Sequence, residues 1–185
     1  IDFSSDEGAT ESSSLALHHG AALVVGTTAL SPASIETLRV ASKKIPVLIS
    51  PNTSMGVAVL AAAVSLAAKL LGGEFECSIV EAHHSKKKDA PSGTALRLAR
   101  AVEAGGGAVR EDQVLAMRGG DVIGEHTVRF AGAGEYVELT HRATSRDLFA
   151  QGALRAARWI AGQRPGMFTM EDVLSVAAGS RQDRA

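Results

Sequence analysis

The 185-residue sequence contains a single cysteine, Cys77, which excludes an internal disulfide and suits a reducing compartment. It carries almost no net charge, −1, so no global basic field is available for nucleic acid or an anionic membrane surface. Its most basic stretch, residues 83–88, lacks aromatic residues on which bases could stack. The chain also lacks a long strongly apolar run. The nearest, Met55 to Leu71, is mostly alanine and valine and falls short of the roughly 20 apolar residues of a membrane span, so it reads as a buried core helix. The opening "IDFSSDEGAT" is acidic where a secretory leader would be basic. These absences leave a soluble cytoplasmic protein without nucleic-acid or membrane partners, and any basic site in it must be local.

What is present is organised in two parts. In residues 1–52, apolar runs ("IDFS", "AALVVGTT", "IPVLIS") alternate with helical signals, among them "ATESSSLALHHG" stopped by Gly20. A second helix is marked by Ser31 as N-cap and Pro32 at the first helical position. Strands and helices at this spacing predict a parallel sheet covered on both faces. From residue 53 the pattern changes. The long apolar helix leads to the strand "CSIVEA", a helix from Gly93 to Ala104 capped by Ser92, and the strands "QVLAM", "VIGEHTVRFA" and "EYVELTHRA". The last two, joined across "GAGE", predict an antiparallel pair with one wet or partner-facing side. A helix over 147–161 and a capping box at Thr169 and Asp172 follow, and the tail "GSRQDRA" is expected to fray. The fold class is α/β, a parallel sheet followed by an α+β part with a mixed sheet.

The chemistry concentrates in "EAHHSKKKDAPSGTA", residues 81–95. The loop leaves the carboxyl end of a strand, where α/β proteins place ligands. Pro91 and Ser92 start a helix whose first N–H groups, at Gly93 and Thr94, have no partner within the helix. Gly93 lets a ligand approach the backbone closely. His83, His84, Lys86, Lys87 and Lys88 add positive charge where the helix N-terminus is already positive, an arrangement that receives an anion such as a carboxylate. Histidine titrates near neutrality and lysine carries a proton to give, the properties of general acids and bases. The plainer alternative is solvated loop charge, which does not account for the paired histidines beside an S-G-T helix start. A metal site is not expected, because carboxylate or cysteine ligands at zinc-like spacing are missing and the lysines would repel a cation. His126 and His141 fall in predicted strands and read as satisfied structural histidines; Cys77 reads as a small buried hydrophobe.

These residues resemble the signature of the 4-hydroxy-tetrahydrodipicolinate (dihydrodipicolinate) reductase family, E-(A/L)-H-H-x-x-K-x-D-A-P-S-G-T-A, with every fixed position present. "IDFS", "VVGTT" and "SPNTSMGV" before it, and "GDVIGEHTVRFAGAGEYVELTHRATSRDLFAQGALRAARW" after it, extend the resemblance over nearly the whole chain. It implies NADH- or NADPH-dependent reduction of a cyclic imine bearing two carboxylates, in the diaminopimelate route to lysine. It further implies His83 and Lys87 as catalytic proton-transfer residues, and His84, Gly93 and Thr94 as holding a substrate carboxylate. Gly26, Thr27 and Thr28, with Ser50, Pro51, Asn52 and Thr53, would lie along the nicotinamide half of the cofactor. Lys86 and Lys88 fall at variable positions and imply electrostatic support only.

On this resemblance residues 1–52 correspond to the second half of a Rossmann-type dinucleotide-binding domain, and 53–161 form a substrate-binding and oligomerisation domain. Residues 162–185 would pack back on the first domain, and a homotetramer is implied. The family's opening glycine-rich loop, G-x-x-G-x-M-G, has no counterpart in this sequence. The expectation is therefore a reductase lacking its N-terminus that binds NAD(P)H weakly or not at all. Its alternative is a truncated, inactive dicarboxylate-binding and oligomerising module.

Overall fold

A computed structural model describes residues 1–179. The chain opens with helix α1 (Asp6–His19), whose N-cap Ser5 accepts from the Gly8 N–H at 3.1 Å. Asp6 and Glu7 occupy its first turn, where negative charge complements the helix dipole, so the helix begins ahead of the "ATESSS" stretch. Gly20, left-handed at φ 61°, ends it. Because this helix starts so early, "IDFS" forms no strand and contributes only an isolated parallel bridge from Asp2 to Val25. Strand β1 (Leu23–Val25) follows, then α2 (Pro32–Ala41), capped by Ser31 with Pro32 in its first turn, and β2 (Pro46–Ile49).

Helix α3 (Met55–Leu71) leads to β3 (Glu76–His83), α4 (Gly93–Ala104), β4 (Val114–Arg118), β5 (Glu125–Gly132) and β6 (Glu135–Arg142). With its short 3-10 extension α3 is long and apolar enough to cross a membrane by length and composition alone. Its Leu60, Ala61, Val64 and Ala68 nevertheless lie in a core with Ile79, Leu98, Val102, Val128 and Phe130. The chain then supplies α5 (Asp147–Ile160), β7 (Gly166–Phe168) and α6 (Met170–Gly179). Thr169 and Asp172 form the capping contact: the Thr169 N–H and hydroxyl donate to Asp172 Oδ2 at 2.7 and 3.0 Å. Residues 180–185, most of the tail expected to fray, lie outside the described residues.

Two compact units result, Ile1–Met55 with the segment from Asp147 onward, and Gly56–Arg146. The chain thus returns to the first unit at α5, ahead of the boundary at 161/162 read from the sequence. The reason is packing: α5 lies against β1 and β2, and Gly152 brings it so close to Thr53 that a Cβ there would stand 1.9 Å from the Thr53 carbonyl oxygen.

The first unit carries a parallel sheet ordered β1-β2-β7. Leu23, Val25 and Val47 share a buried cluster with Ala9, Ala16, Leu38 and Ala41 of α1 and α2. Val24 and Leu48, also buried, point the other way by strand alternation, toward the face on which α5 lies, which explains the near-continuous apolar strands. The second unit is a mixed sheet ordered β4-β3-β5-β6, with β4 parallel and β5 antiparallel to β3. β5 and β6 form the expected hairpin. One face of this sheet is covered by α3 and α4. The other exposes Val80, Leu115, Met117 and Tyr136.

Candidate functional site

Strand period decides the site in the second unit. Cys77, Ile79, Glu81 and His83 are all buried and, being two residues apart, share the helix-covered face of β3. The hydrophobic row therefore ends in a carboxylate and an imidazole. His83 is the last residue of the strand, not part of the loop, because the chain there is paired with β4: His83 lies opposite Arg118, and the Gly119 N–H donates to the His83 carbonyl at 3.0 Å.

A fully buried carboxylate needs partners, and Glu81 makes four contacts with three described residues. Arg118 donates through both terminal nitrogens, Nη2 to Oε1 at 2.7 Å and Nη1 to Oε2 at 2.9 Å. The Ser92 N–H donates to Oε1 at 3.0 Å, and His83 Nδ1 contacts Oε2. Burial alone would raise the Glu81 pKa; the hydrogen bonds from Arg118, His83 and Ser92 outweigh it and hold the group below the usual carboxylate range. Burial also pushes the His83 imidazole below its ordinary value, ahead of the opposing pull of Glu81. At neutral pH the pair is a carboxylate and a neutral ring.

The same guanidinium organises the loop that carries Lys87. Arg118 Nη2 also donates to the Asp89 carbonyl at 2.6 Å, and Lys87 Nζ pairs with Asp89 Oδ1 at 2.8 Å. Lys87 is half-buried, whereas Lys86 and Lys88 are exposed. The Lys87 N–H donates to the His84 carbonyl at 3.0 Å, closing a tight turn. Ser92 caps α4 through the Ala95 N–H at 3.2 Å, as its sequence position implies. A Cβ at Gly93 would meet nothing within 4 Å, so open space adjoins the helix start.

His83, Lys87, His84, Gly93 and Thr94 are thus brought onto one strand end, one turn and one helix start. Glu81, Arg118 and Asp89, which tie them together, were not among the candidate residues. The signal for Glu81 was available: it continues the buried alternation of Cys77 and Ile79, so a buried carboxylate and a cationic partner were foreseeable. His126 lies opposite Glu81 in β5 and meets the His83 ring edge-to-face, with centroids 5.0 Å apart. Its Nε2 is 3.3 Å from Ser92 Oγ, but among the described residues its buried Nδ1 has no hydrogen-bond partner. Burial, then the neighbouring His83, pushes its pKa down to about 4.

Ligand atoms of Glu81, His83 and His126 lie within 4.8 Å of one another. Both Glu81 oxygens are already engaged by Arg118, Ser92 and His83, so the cluster is held together as a hydrogen-bonded ion pair with two imidazoles attached.

In the first unit the loops after β1 and β2 leave the carboxyl ends of adjacent parallel strands, where such sheets bind ligands. Gly26 and Thr27 are buried and Thr28 is exposed. The Thr27 hydroxyl donates to Asp2 Oδ1 at 2.7 Å. Ser50 Oγ donates to the Asn52 carbonyl at 2.6 Å, and Thr53 Oγ1 to the Phe149 carbonyl at 2.7 Å. Three of the seven candidate cofactor residues therefore use their hydroxyls to shape the loops, while Thr28 and Pro51 face outward.

A doubly covered parallel α/β unit, and a mixed-sheet unit presenting cationic donors at a strand end, define a two-unit α/β enzyme architecture. Comparison with known proteins makes this specific. The family profile "Dihydrodipicolinate reductase, N-terminus" matches residues 1–53, and "Dihydrodipicolinate reductase, C-terminus" matches residues 56–174. Among curated relatives, the 4-hydroxy-tetrahydrodipicolinate reductase of Myxococcus xanthus (strain DK1622) is 46% identical over 94% of the chain and 70% of the relative. The reductase of the same name from Stenotrophomonas maltophilia (strain K279a) is 48% identical over 94% of the chain and 71% of the relative. A solved structure, dipicolinate-bound dihydrodipicolinate reductase from Paenisporosarcina sp. TG-14, shares the fold with a TM-score of 0.75 at 22% identity. It matches 92% of the chain and 71% of that protein. The chain belongs to the dihydrodipicolinate reductase family, a family of dinucleotide-dependent oxidoreductases of lysine and diaminopimelate biosynthesis.

Proposed function

We propose that this chain reduces 4-hydroxy-tetrahydrodipicolinate to tetrahydrodipicolinate with NADH or NADPH. The observation that supports this most is the second-unit cluster: a buried Glu81–Arg118 pair anchors both His83 and the Lys87 turn beside the open N-terminus of α4. The two carboxylates of the substrate are anions, and this is where the chain concentrates cationic and N–H donors. Gly93 and Thr94 would offer backbone N–H groups to one carboxylate, aided by His84. Lys87, held by Asp89 until an anion competes for it, would give a proton, and His83 would exchange one. Bound nicotinamide cofactor would supply the hydride, with Gly26 to Thr28 and Ser50 to Thr53 along its nicotinamide end. We place the protein in the cytoplasm, where a single reduced thiol is stable. We also infer a homotetramer: the open sheet face, with Val80, Leu115, Met117 and Tyr136 exposed, is the surface a second copy would cover.

A calorimetric titration with pyridine-2,6-dicarboxylate, a planar mimic of the substrate's carboxylates, tests the reading. Binding that weakens about 10- to 100-fold in Lys87→Ala is expected, the range of a charge-assisted hydrogen bond. No binding by the folded wild-type chain refutes it. Titration with NADH and with NADPH then decides the nucleotide, and light scattering decides the assembly.

A further inference from the structure

The cluster contains more structure than binding an anion requires, and the surplus lies behind His83. We propose that Glu81, held by Arg118, is a positioning residue that fixes His83 as the Nδ1–H tautomer and leaves Nε2 as the proton-exchanging atom. This rests on the reductase reading above for its consequence, but not for its geometry.

The argument begins with acceptors. Glu81 is wholly buried and takes donors from Arg118 at 2.7 and 2.9 Å and from the Ser92 N–H at 3.0 Å. A carboxylate so held is ionised and can only accept. Its contact with His83 Nδ1 must therefore be donated by the ring, which puts the ring's hydrogen on Nδ1 and a lone pair on Nε2. Other charged or titratable groups near His83 are Lys87 on the turn, Arg118 on β4 and His126 on β5. Lys87 and Arg118 can only donate, and His126 meets the His83 ring edge-to-face with its Nε2 on Ser92 Oγ, so among these groups Glu81 is the acceptor at Nδ1.

The second observation concerns space. A Cβ built on Gly124 would stand 3.1 Å from His83 Nε2 and 3.4 Å from Cδ2. Gly124 is not in the left-handed region, so its backbone does not demand glycine. What glycine provides there is clearance at the one imidazole atom that the tautomer leaves open.

A proton that arrives at Nε2 must leave from Nε2, because Nδ1 stays bonded to Glu81 and Arg118 keeps that carboxylate from taking the proton itself. The imidazolium formed in between is stabilised by Glu81. Arg118 also anchors Asp89, the partner of Lys87, so one buried ion pair sets both proton-transfer side chains.

The test uses the whole chain as wild type and as Glu81→Gln, with His83→Gln to assign the His83 resonances. Long-range 1H–15N NMR of the imidazole reads the tautomer, and steady-state turnover with the preferred nucleotide reads the consequence. The wild type should show His83 protonated at Nδ1 alone, and Glu81→Gln a mixture or the Nε2–H form. In Glu81→Gln, kcat should fall about 100-fold, a larger change than in KM or in the affinity for pyridine-2,6-dicarboxylate, and the acid limb of the rate profile should move to lower pH. An Nε2–H tautomer in the wild type overturns the proposal even if the variant does not fold, and so does undiminished kcat in Glu81→Gln. A wild-type chain that neither binds the dicarboxylate nor turns over overturns the reductase reading, a result distinguishable from either of these.

Discussion

The two units handle polar side chains in opposite ways. In the first, the hydroxyls of Thr27, Ser50 and Thr53 close onto Asp2, the Asn52 carbonyl and the Phe149 carbonyl, and the result is two stiff loops. In the second, charged groups are linked in series from Arg118 through Glu81 to His83, and through Asp89 to Lys87. The first arrangement fixes backbone shape and the second fixes charge and protonation. On the function proposed above, the first would hold a flat ring by shape and the second a doubly charged substrate by charge.

The strongest way to break this contrast is at α5. Gly152→Ala would drive a Cβ to 1.9 Å from the Thr53 carbonyl, a backbone atom with nowhere to go. A loss of about 3 kcal/mol in chemical denaturation is expected, with pyridine-2,6-dicarboxylate affinity retained in the folded fraction. An equal loss of affinity would show that the units do not divide their tasks as described.

Next in size is a pH effect confined to the second unit. Below about 6.5 the unfolded chain protonates His126, while the folded chain resists until about 4. The stability difference is complete above the ordinary histidine value and is lost as pH falls between those limits, by about 3 kcal/mol. His126→Asn should flatten the dependence of denaturation midpoint on pH in that window.

A smaller effect is expected at the helix start. Ser92→Ala removes the cap on Ala95 and the contact to His126, and should cost about 1–2 kcal/mol by thermal denaturation. Smallest of all, Lys86→Ala or Lys88→Ala should change dicarboxylate affinity by no more than about twofold, because exposed charge is screened. A larger effect from either would mean that the basic run acts as a field and that the Lys87 pairing matters less than its geometry suggests.

The sequence announced those features whose causes are local. Ser31–Pro32, Ser92 and the Thr169–Asp172 pair each state a helix start within a few residues, and the alternation of β5 and β6 across a short turn states a hairpin. Glu81 with Arg118 could not be read in the same way. The two lie 37 positions apart, and they meet only because β4 pairs parallel with β3 in a register that sets Arg118 opposite His83. The short β7 was missed for a related reason: Gly166–Phe168 has too few residues to show a period and becomes a strand only by adding to β2. "IDFS", a short apolar run ending in a polar turn, adds only Asp2 to the sheet, bridging Val25 in parallel before the chain turns into α1.

The lone cysteine acquires a use from its position. Cys77 lies on β3, on the same face and four residues before Glu81, and burial pushes its thiol up to about 11. In the folded chain it is therefore both hidden and protonated, and should be inert to alkylating reagents at neutral pH. Any labelling records a moment when β3 has come away from its covering helices. A single native thiol thus acts as a clock for the opening of the strand that carries the site, read by mass spectrometry without altering one residue.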